Sequence, residues 1–162
     1  MASSGAPTMK PQAAPGTRVA IVASSWHTEV MDGLLAGAQR ALAEAAAETT
    51  GMEVSVFRAP GSFELPLLAR AAAERFDTVV ALGVVIRGGT PHFDYVCRAA
   101  TDGLAKVAAE TGTPVGFGLL TCDDDEQARN RAGLPGSRED KGHEAASAAL
   151  AALAALTEIR TA

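Results

Sequence analysis

From Arg18 onward the chain alternates short, continuous apolar runs with longer stretches whose apolar residues recur every three or four positions. The runs are Arg18–Ala23, Met52–Arg58, Asp77–Ile86 and Thr113–Thr121. Continuous runs without polar alternation predict strands covered on both faces. The stretches between them predict helices. One covers residues 28–50, with Leu34, Ala38, Leu42 and Ala45 on one face and Gly51 at its C-terminal stop. A second covers 63–76 with Ser62 as its cap. A third covers 93–110 and ends at Gly112, and a short one covers 124–132. The last covers 141–159, with Leu150, Leu153, Leu156 and Ile159 on a stripe.

Strands separated by helices of this length pair in parallel through right-handed crossovers. The expected fold class is therefore α/β: a three-layer αβα sandwich around a four-stranded parallel sheet, of the flavodoxin-like kind. One domain is expected over residues 17–162. Residues 1–16 carry three prolines and one lysine without an apolar segment, which reads as a flexible tail and not as a secretory signal. Open α/β sheets bind ligands beyond the C-terminal ends of their strands. Those ends are Ser24–His27, Pro60–Glu64, Arg87–His92 and the stretch around Phe117–Cys122.

Composition narrows the function. Nineteen acidic against 14 basic residues leave a net charge of −5, which excludes a counterion-displacing nucleic-acid surface. No apolar stretch reaches the ~20 residues of a spanning helix, so no membrane partner is expected. Cys97 and Cys122 are too few for a disulfide framework, and no Cys/His spacing suggests a metal. A cytoplasmic setting follows as the expectation. Hydrophobic residues make up 48% of the chain, but only five Phe, one Tyr and one Trp are aromatic. The core must be built from small aliphatics.

Chemistry concentrates at the expected strand ends. In Arg87-Gly-Gly-Thr-Pro-His92 the glycines let backbone N–H groups approach an anion, Thr90 adds a hydroxyl, and a helix N-terminus follows. A plain Gly-Gly turn is the competing reading. His92 stands at the mouth of the loop, and an imidazole is the side chain suited to giving and taking a proton near neutrality; His27 and His143 compete with it. In Pro60-Gly-Ser-Phe-Glu64, Ser62 and Glu64 serve either as helix-start residues or as binders of ligand hydroxyls. Trp26 either packs or stacks on a flat heterocycle. Arg131 and Lys141 flank a loop as either solvated charges or anion ligands.

These residues carry a resemblance. Val85-Ile-Arg-Gly-Gly-Thr-Pro-His-Phe-Asp-Tyr-Val-Cys97, Pro60-Gly-Ser-Phe-Glu64 and Glu126-Gln-Ala…Arg131-Ala-Gly133 closely resemble the 6,7-dimethyl-8-ribityllumazine synthase family, and the similarity runs from about Arg18 to Ile159. It implies the penultimate step of riboflavin synthesis, the condensation of 5-amino-6-(D-ribitylamino)uracil with 3,4-dihydroxy-2-butanone 4-phosphate, with no metal or cofactor. Carried over, Trp26 takes the aromatic place over the pyrimidine. Ser62, Phe63 and Glu64 match the ribityl-binding segment, and Val84, Val85 and Ile86 line the pyrimidine. Gly89 and Thr90 match the phosphate loop, His92 the proton donor and Arg131 the phosphate-binding arginine. Phe117 falls where the fourth strand lines the site, and Lys141 matches a lysine nearby. The resemblance further implies a homo-oligomer whose sites form between neighbours. The loop from Gly133 to Lys141 is longer than the compact Gly-Asn-Lys-Gly type associated with capsids, which favours a pentamer over a sixty-subunit shell.

Two other readings compete: a non-catalytic flavin-binding protein and a shell-forming structural protein. Against the first, bulky Trp26 and His27 interrupt the hydroxyl-rich stretch after the first strand, and the glycine-rich loop follows the third strand.

Overall fold

The structure, a computed structural model, describes residues 10–162. Its elements are β1 (Arg18–Ser24), α1 (Thr28–Ala46), β2 (Glu53–Ala59), a 3-10 turn (Ser62–Glu64), α2 (Leu65–Ala73), β3 (Thr78–Ile86), α3 (His92–Thr111), β4 (Val115–Cys122), α4 (Asp125–Arg129) and α5 (Lys141–Thr161). The strands pair only in parallel, in the order β2-β1-β3-β4. Successive strand residues point to opposite faces, and both faces are covered. Val19, Ile21, Ala23, Val80 and Leu82 pack with α1 and α5; Ala20, Val22, Val79 and Ala81 pack with α2 and α3. The expected three-layer α/β sandwich is what the chain forms.

The outer strand β2 differs from the sheet's centre. In β2 only Ala59 is buried, and Val54, Val56 and Phe57 are substantially exposed. On the other side, α1 and α5 pack closely because glycines remove side chains from the contact. A Cβ on Gly142 would lie 2.0 Å from the Leu34 carbonyl oxygen, and one on Gly37 would lie 2.1 Å from Asp140 Oδ1. Asp140 caps α5 by accepting the His143 N–H at 3.0 Å and pairs with Arg40 on α1. The loop before α5 is thereby fastened to the body. Arg138 and Glu139 N–H both donate to the Asn130 carbonyl, and Ala132 pairs with Asp140 in an antiparallel bridge.

Three details depart from expectation. Helix α1 stops at Ala46; the chain turns through residues 47–50, and the left-handed Gly51 lies in that turn and not at the helix end. Ser62 caps nothing: its hydroxyl donates to the Val84 carbonyl at 3.1 Å, and the turn it begins has no side-chain cap. In α5 the expected leucine stripe is not the core face. Ile159 is 74% exposed and Leu153 and Leu156 are half-buried, while Gly142, Ala145, Ala146, Ala149 and Leu150 are buried. The helix has 21 residues and β4 has eight, so at ~1.5 Å per residue α5 spans about 31 Å and overruns the sheet.

Of the tail expected over 1–16, residues 1–9 lie outside the described residues. Pro11 is buried, Ala13 packs against the α1/α5 side of the core, and Gly16 N–H donates to the Thr50 carbonyl at 2.9 Å.

With β1 in second place and β3 in third, the connections leave the sheet centre in opposite directions. The β1/β3 boundary is the switch point where such sheets hold ligands.

Candidate active site

The chain leaves β1 through Ser24, Ser25 and Trp26 and enters α1 at His27, the only non-glycine residue with positive φ (56°) among the described residues. A left-handed conformation costs a non-glycine residue of order 1 kcal/mol. Here it turns the backbone sharply and leaves Trp26 68% exposed at the sheet's end. Ser25 Oγ donates to the Ala59 carbonyl at 2.8 Å, which ties the loop after β1 to the loop after β2. That second loop brings Gly61 beside the indole: a Cβ there would lie 3.7 Å from Trp26 Nε1 and 3.1 Å from Glu64 Oε2. Trp26, Gly61 and Glu64 thus meet at one edge. Glu64 forms no ion pair or hydrogen bond among the described residues. Ser62 joins this group to β3 through its bond to Val84, and Phe63 stands exposed beside it.

Along β3, Val84 is still buried, while Val85 and Ile86 are only partly so. Arg87 N–H prolongs the β3/β4 ladder by donating to the Cys122 carbonyl at 2.9 Å. Beyond it, Gly88, Gly89, Thr90 and Pro91 are exposed. A Cβ at Gly88 or Gly89 would meet nothing within 4 Å, and neither residue is left-handed. Neither crowding nor backbone conformation within the chain requires glycine there, so the open face is available for close approach by a ligand. His92 is the first residue of α3, exposed and without a bonded partner among the described residues. Its competitors are otherwise engaged: His143 Nε2 lies 3.2 Å from Glu44 on α1, and His27 holds the α1 turn.

The two expected cations differ. Arg131 is half-buried, donates from Nη1 to the Gln127 carbonyl at 2.9 Å, and faces no carboxylate among the described residues. Lys141 lies 3.0 Å from Glu139 and 2.7 Å from Glu144. Burial would lower its pKa, but the hydrogen bonds to the two glutamates prevail and hold it above the ordinary lysine value.

Phe117 does not join the rest. It is 49% exposed on the outermost strand and pairs with Ala81. Val84–Ile86 pair with Leu120–Cys122, three to five positions further along, or roughly 10–17 Å at ~3.3 Å per residue. The register of β3 and β4 keeps its ring away from the mouth of its own chain.

Neither thiol is poised for reaction. Burial raises the pKa of Cys122 and, with the Asp94 charge adding to it, that of Cys97, so both stay protonated near neutrality. Sequence reasoning gives no role to four residues that the structure joins. Arg87 Nε donates to Asp123 Oδ1 at 2.9 Å and Nη1 approaches Asp94 at 3.4 Å, while Gln127 Oε1 accepts the Asp123 N–H at 3.1 Å. The legible signal was Asp124-x-x-Gln127, a capping-box spacing.

A recess of about 850 Å3 lies at the opposite end of the sheet among Thr17, Phe76, Asp77, Thr113, Leu153 and Arg160. None of the expected site residues lines it. The strand ends place the chemistry, and the size of this recess does not.

A family model described as 6,7-dimethyl-8-ribityllumazine synthase matches residues 16–157. The 6,7-dimethyl-8-ribityllumazine synthase of Paenarthrobacter aurescens is 58% identical over 164 aligned residues, covering 98% of this chain and 99% of that protein. That of Kocuria rhizophila is 64% identical over 152 residues, covering 93% and 95%. That of Streptomyces coelicolor is 56% identical over 160 residues, covering 98% and 97%.

Proposed function

The chain belongs to the 6,7-dimethyl-8-ribityllumazine synthase family and catalyses its condensation of 5-amino-6-(D-ribitylamino)uracil with 3,4-dihydroxy-2-butanone 4-phosphate; on that premise we propose that His92 is the acid–base group and that Gly89, Thr90 and Arg131 hold the phosphate. The observation that carries this reading is the position of His92. It begins α3 directly beyond two open glycines, at the switch point of the sheet, with no bonded partner of its own among the described residues.

The remaining roles follow the shape of the pyrimidine substrate. The exposed Trp26 ring stacks on the heterocycle and Val84, Val85 and Ile86 line its edge. Ser62, Phe63 and Glu64 take the ribityl chain, with the Glu64 carboxylate accepting from its hydroxyls. The exocyclic amine attacks the ketone, and the carbonyl oxygen must gain protons before it leaves as water. Phosphate is then eliminated, the resulting enol tautomerises to a ketone, and the ribitylamino nitrogen closes the ring on that carbon with loss of a second water. Each step moves a proton that one imidazole near neutrality can supply or remove. No covalent nucleophile is needed, and much of the acceleration comes from holding two substrates in register. His92→Ala should therefore lower kcat by only about 10²–10⁴-fold, the usual scale for one general acid–base group. A variant turning over at the parent rate removes His92 from the mechanism.

We also infer one catalytic domain over 17–162, working in the cytoplasm as a homo-oligomer, a pentamer in preference to a sixty-subunit capsid. Exposed apolar side chains support a partner surface: Leu67 and Tyr95 are both more than two-thirds exposed. Phe117 and Lys141 then serve a site shared with a neighbouring subunit. Native mass measurement tests the assembly, and a sixty-subunit species overturns the pentamer.

A further inference from the structure

We propose that Arg87 is a positioning residue: with Asp123 it braces the open phosphate loop and masks two carboxylates beside it, and it is not itself a phosphate ligand. The inference rests on the reading of residues 87–92 as the phosphate loop.

The loop lacks its own support. Beyond Arg87 N–H there is no further ladder bond to β4. Two glycines follow, the residues with most conformational freedom to lose, and nothing packs where their side chains would be. Donors aimed at an anion help only if they are fixed before it arrives. The Arg87 side chain supplies the fixing from both ends of the loop. Nε donates to Asp123 Oδ1 at 2.9 Å, just past β4. Nη1 donates to Asp94 Oδ1 at 3.4 Å, in the first turn of α3. The guanidinium carbon lies 4.2 Å from the centroid of the Phe93 ring, which is itself buried. One planar group therefore connects the strand before the loop to the helix after it.

Charge adds a second reason. One guanidinium faces two carboxylates, so the trio carries a net charge of −1 at neutrality. Without Arg87, both acids would stand unmasked beside an incoming phosphate dianion. If Arg87 turned to bind that phosphate, it would have to leave both acids and the Phe93 face. The hydrogen bond to Asp123 raises the pKa of the guanidinium and lowers that of the carboxyl, so the pair stays ionised throughout neutral conditions.

The brace continues past Asp123. Its N–H donates to Gln127 Oε1 at 3.1 Å, Gln127 N–H donates to Asp124 Oδ1 at 2.8 Å, and the Gln127 carbonyl accepts from Arg131 Nη1 at 2.9 Å. Two arginines are thus placed through opposite ends of α4. Arg87 is neutralised by its partners, and Arg131 is left for the anion.

The test measures KM for each substrate, kcat, inhibition by inorganic phosphate and Tm on the full-length assembled enzyme. Arg87→Gln should raise the phosphorylated ketone's KM and the phosphate inhibition constant about tenfold, since it loses the brace and unmasks both acids; Asp123→Asn loosens the brace but also removes one acid, and should leave both constants within about threefold of the parent. The pyrimidine's KM should stay within twofold. The double variant should bind phosphate better than Arg87→Gln alone, because one unmasked carboxylate has gone. Arg87→Lys should recover the masking in part but not the brace, since a lysine has no fork to span both acids.

If Arg87 were a phosphate ligand, Asp123→Asn would free it and tighten phosphate binding by about tenfold or more, beyond what the loss of one screened charge gives; that result overturns the proposal. So does a fall in Tm with both KM values rising equally, which marks a merely structural residue. Gly89→Ala and Arg131→Ala separate the two readings. If neither moves phosphate inhibition, the phosphate-loop reading fails; if they move it and the Arg87 series does not, this inference alone fails.

Discussion

Gly142 and Gly89 stand at opposite extremes of crowding. Around Gly142 the 130–142 loop, α1 and α5 approach so closely that a methyl group would overlap the Leu34 carbonyl at 2.0 Å. Around Gly89 there is open space. The fold itself explains the first glycine, since that loop is stitched by the Asn130, Arg131 and Asp140 bonds and closes on the body. Nothing inside the chain explains the second. A small residue without an internal reason directs attention to what approaches from outside, and here the approach is from the mouth of the β1/β3 crevice.

The largest effect should come from filling the crowded side. Gly142→Ala overpacks a backbone contact and should destabilise by about 3 kcal/mol. In a domain of this size that lowers Tm by roughly 6–12 °C at fixed protein concentration. A Tm within two degrees of the parent would show that α1 and α5 separate without cost, and the contrast would collapse. On the open side the cation comes next. Arg131→Ala should weaken the phosphorylated ketone by about 10–150-fold, the equivalent of a charge-assisted bond worth 1.5–3 kcal/mol. If only the pyrimidine's affinity changes, Arg131 has been given the wrong substrate.

Gly89→Ala should leave Tm within about 2 °C, as surface changes do, while the phosphorylated ketone's KM rises about tenfold through lost close approach. Loss of stability without loss of phosphate affinity would move Gly89 to the crowded class. The smallest effect concerns Lys141. Its pKa is raised in the fold, so its contribution is complete below the ordinary lysine value of ~10.4 and fades as pH climbs through the higher folded value. Tm should fall by about 1–3 °C more in the parent than in Lys141→Met between pH 10 and 11.5. Parallel curves would remove the glutamate pairing from the stability of that loop.

The layers were legible in the sequence because burial on two faces leaves continuous apolar runs, as in Val19–Ala23 and Val79–Val84. The face of α5 was not. That helix is apolar nearly all round, and spacing alone favoured its leucines, whereas the sheet ends before Leu156 and selects the alanines instead. Ser62 departs from expectation for a related reason: a serine before a helix suggests a cap, but its hydroxyl donates to the Val84 carbonyl across the chain. The expected loop residues Gly89, Thr90 and His92 lie together because they are adjacent in sequence at one strand end. That this strand end lies next to the one carrying Trp26 depends on the strand order, which periodicity cannot encode. Phe117 and the Arg87–Asp123 brace depend on register between β3 and β4, which is set only when the sheet assembles.

The exposed Trp26 has an experimental consequence. It is the chain's only tryptophan, so excitation at the red edge of indole absorption reports one location, without background from the core. In the free protein a side chain two-thirds exposed should emit as a solvated indole. A flat ring stacking on it should shift and quench that emission. The native chain therefore carries an optical titration of its pyrimidine subsite, requiring neither turnover nor an added label.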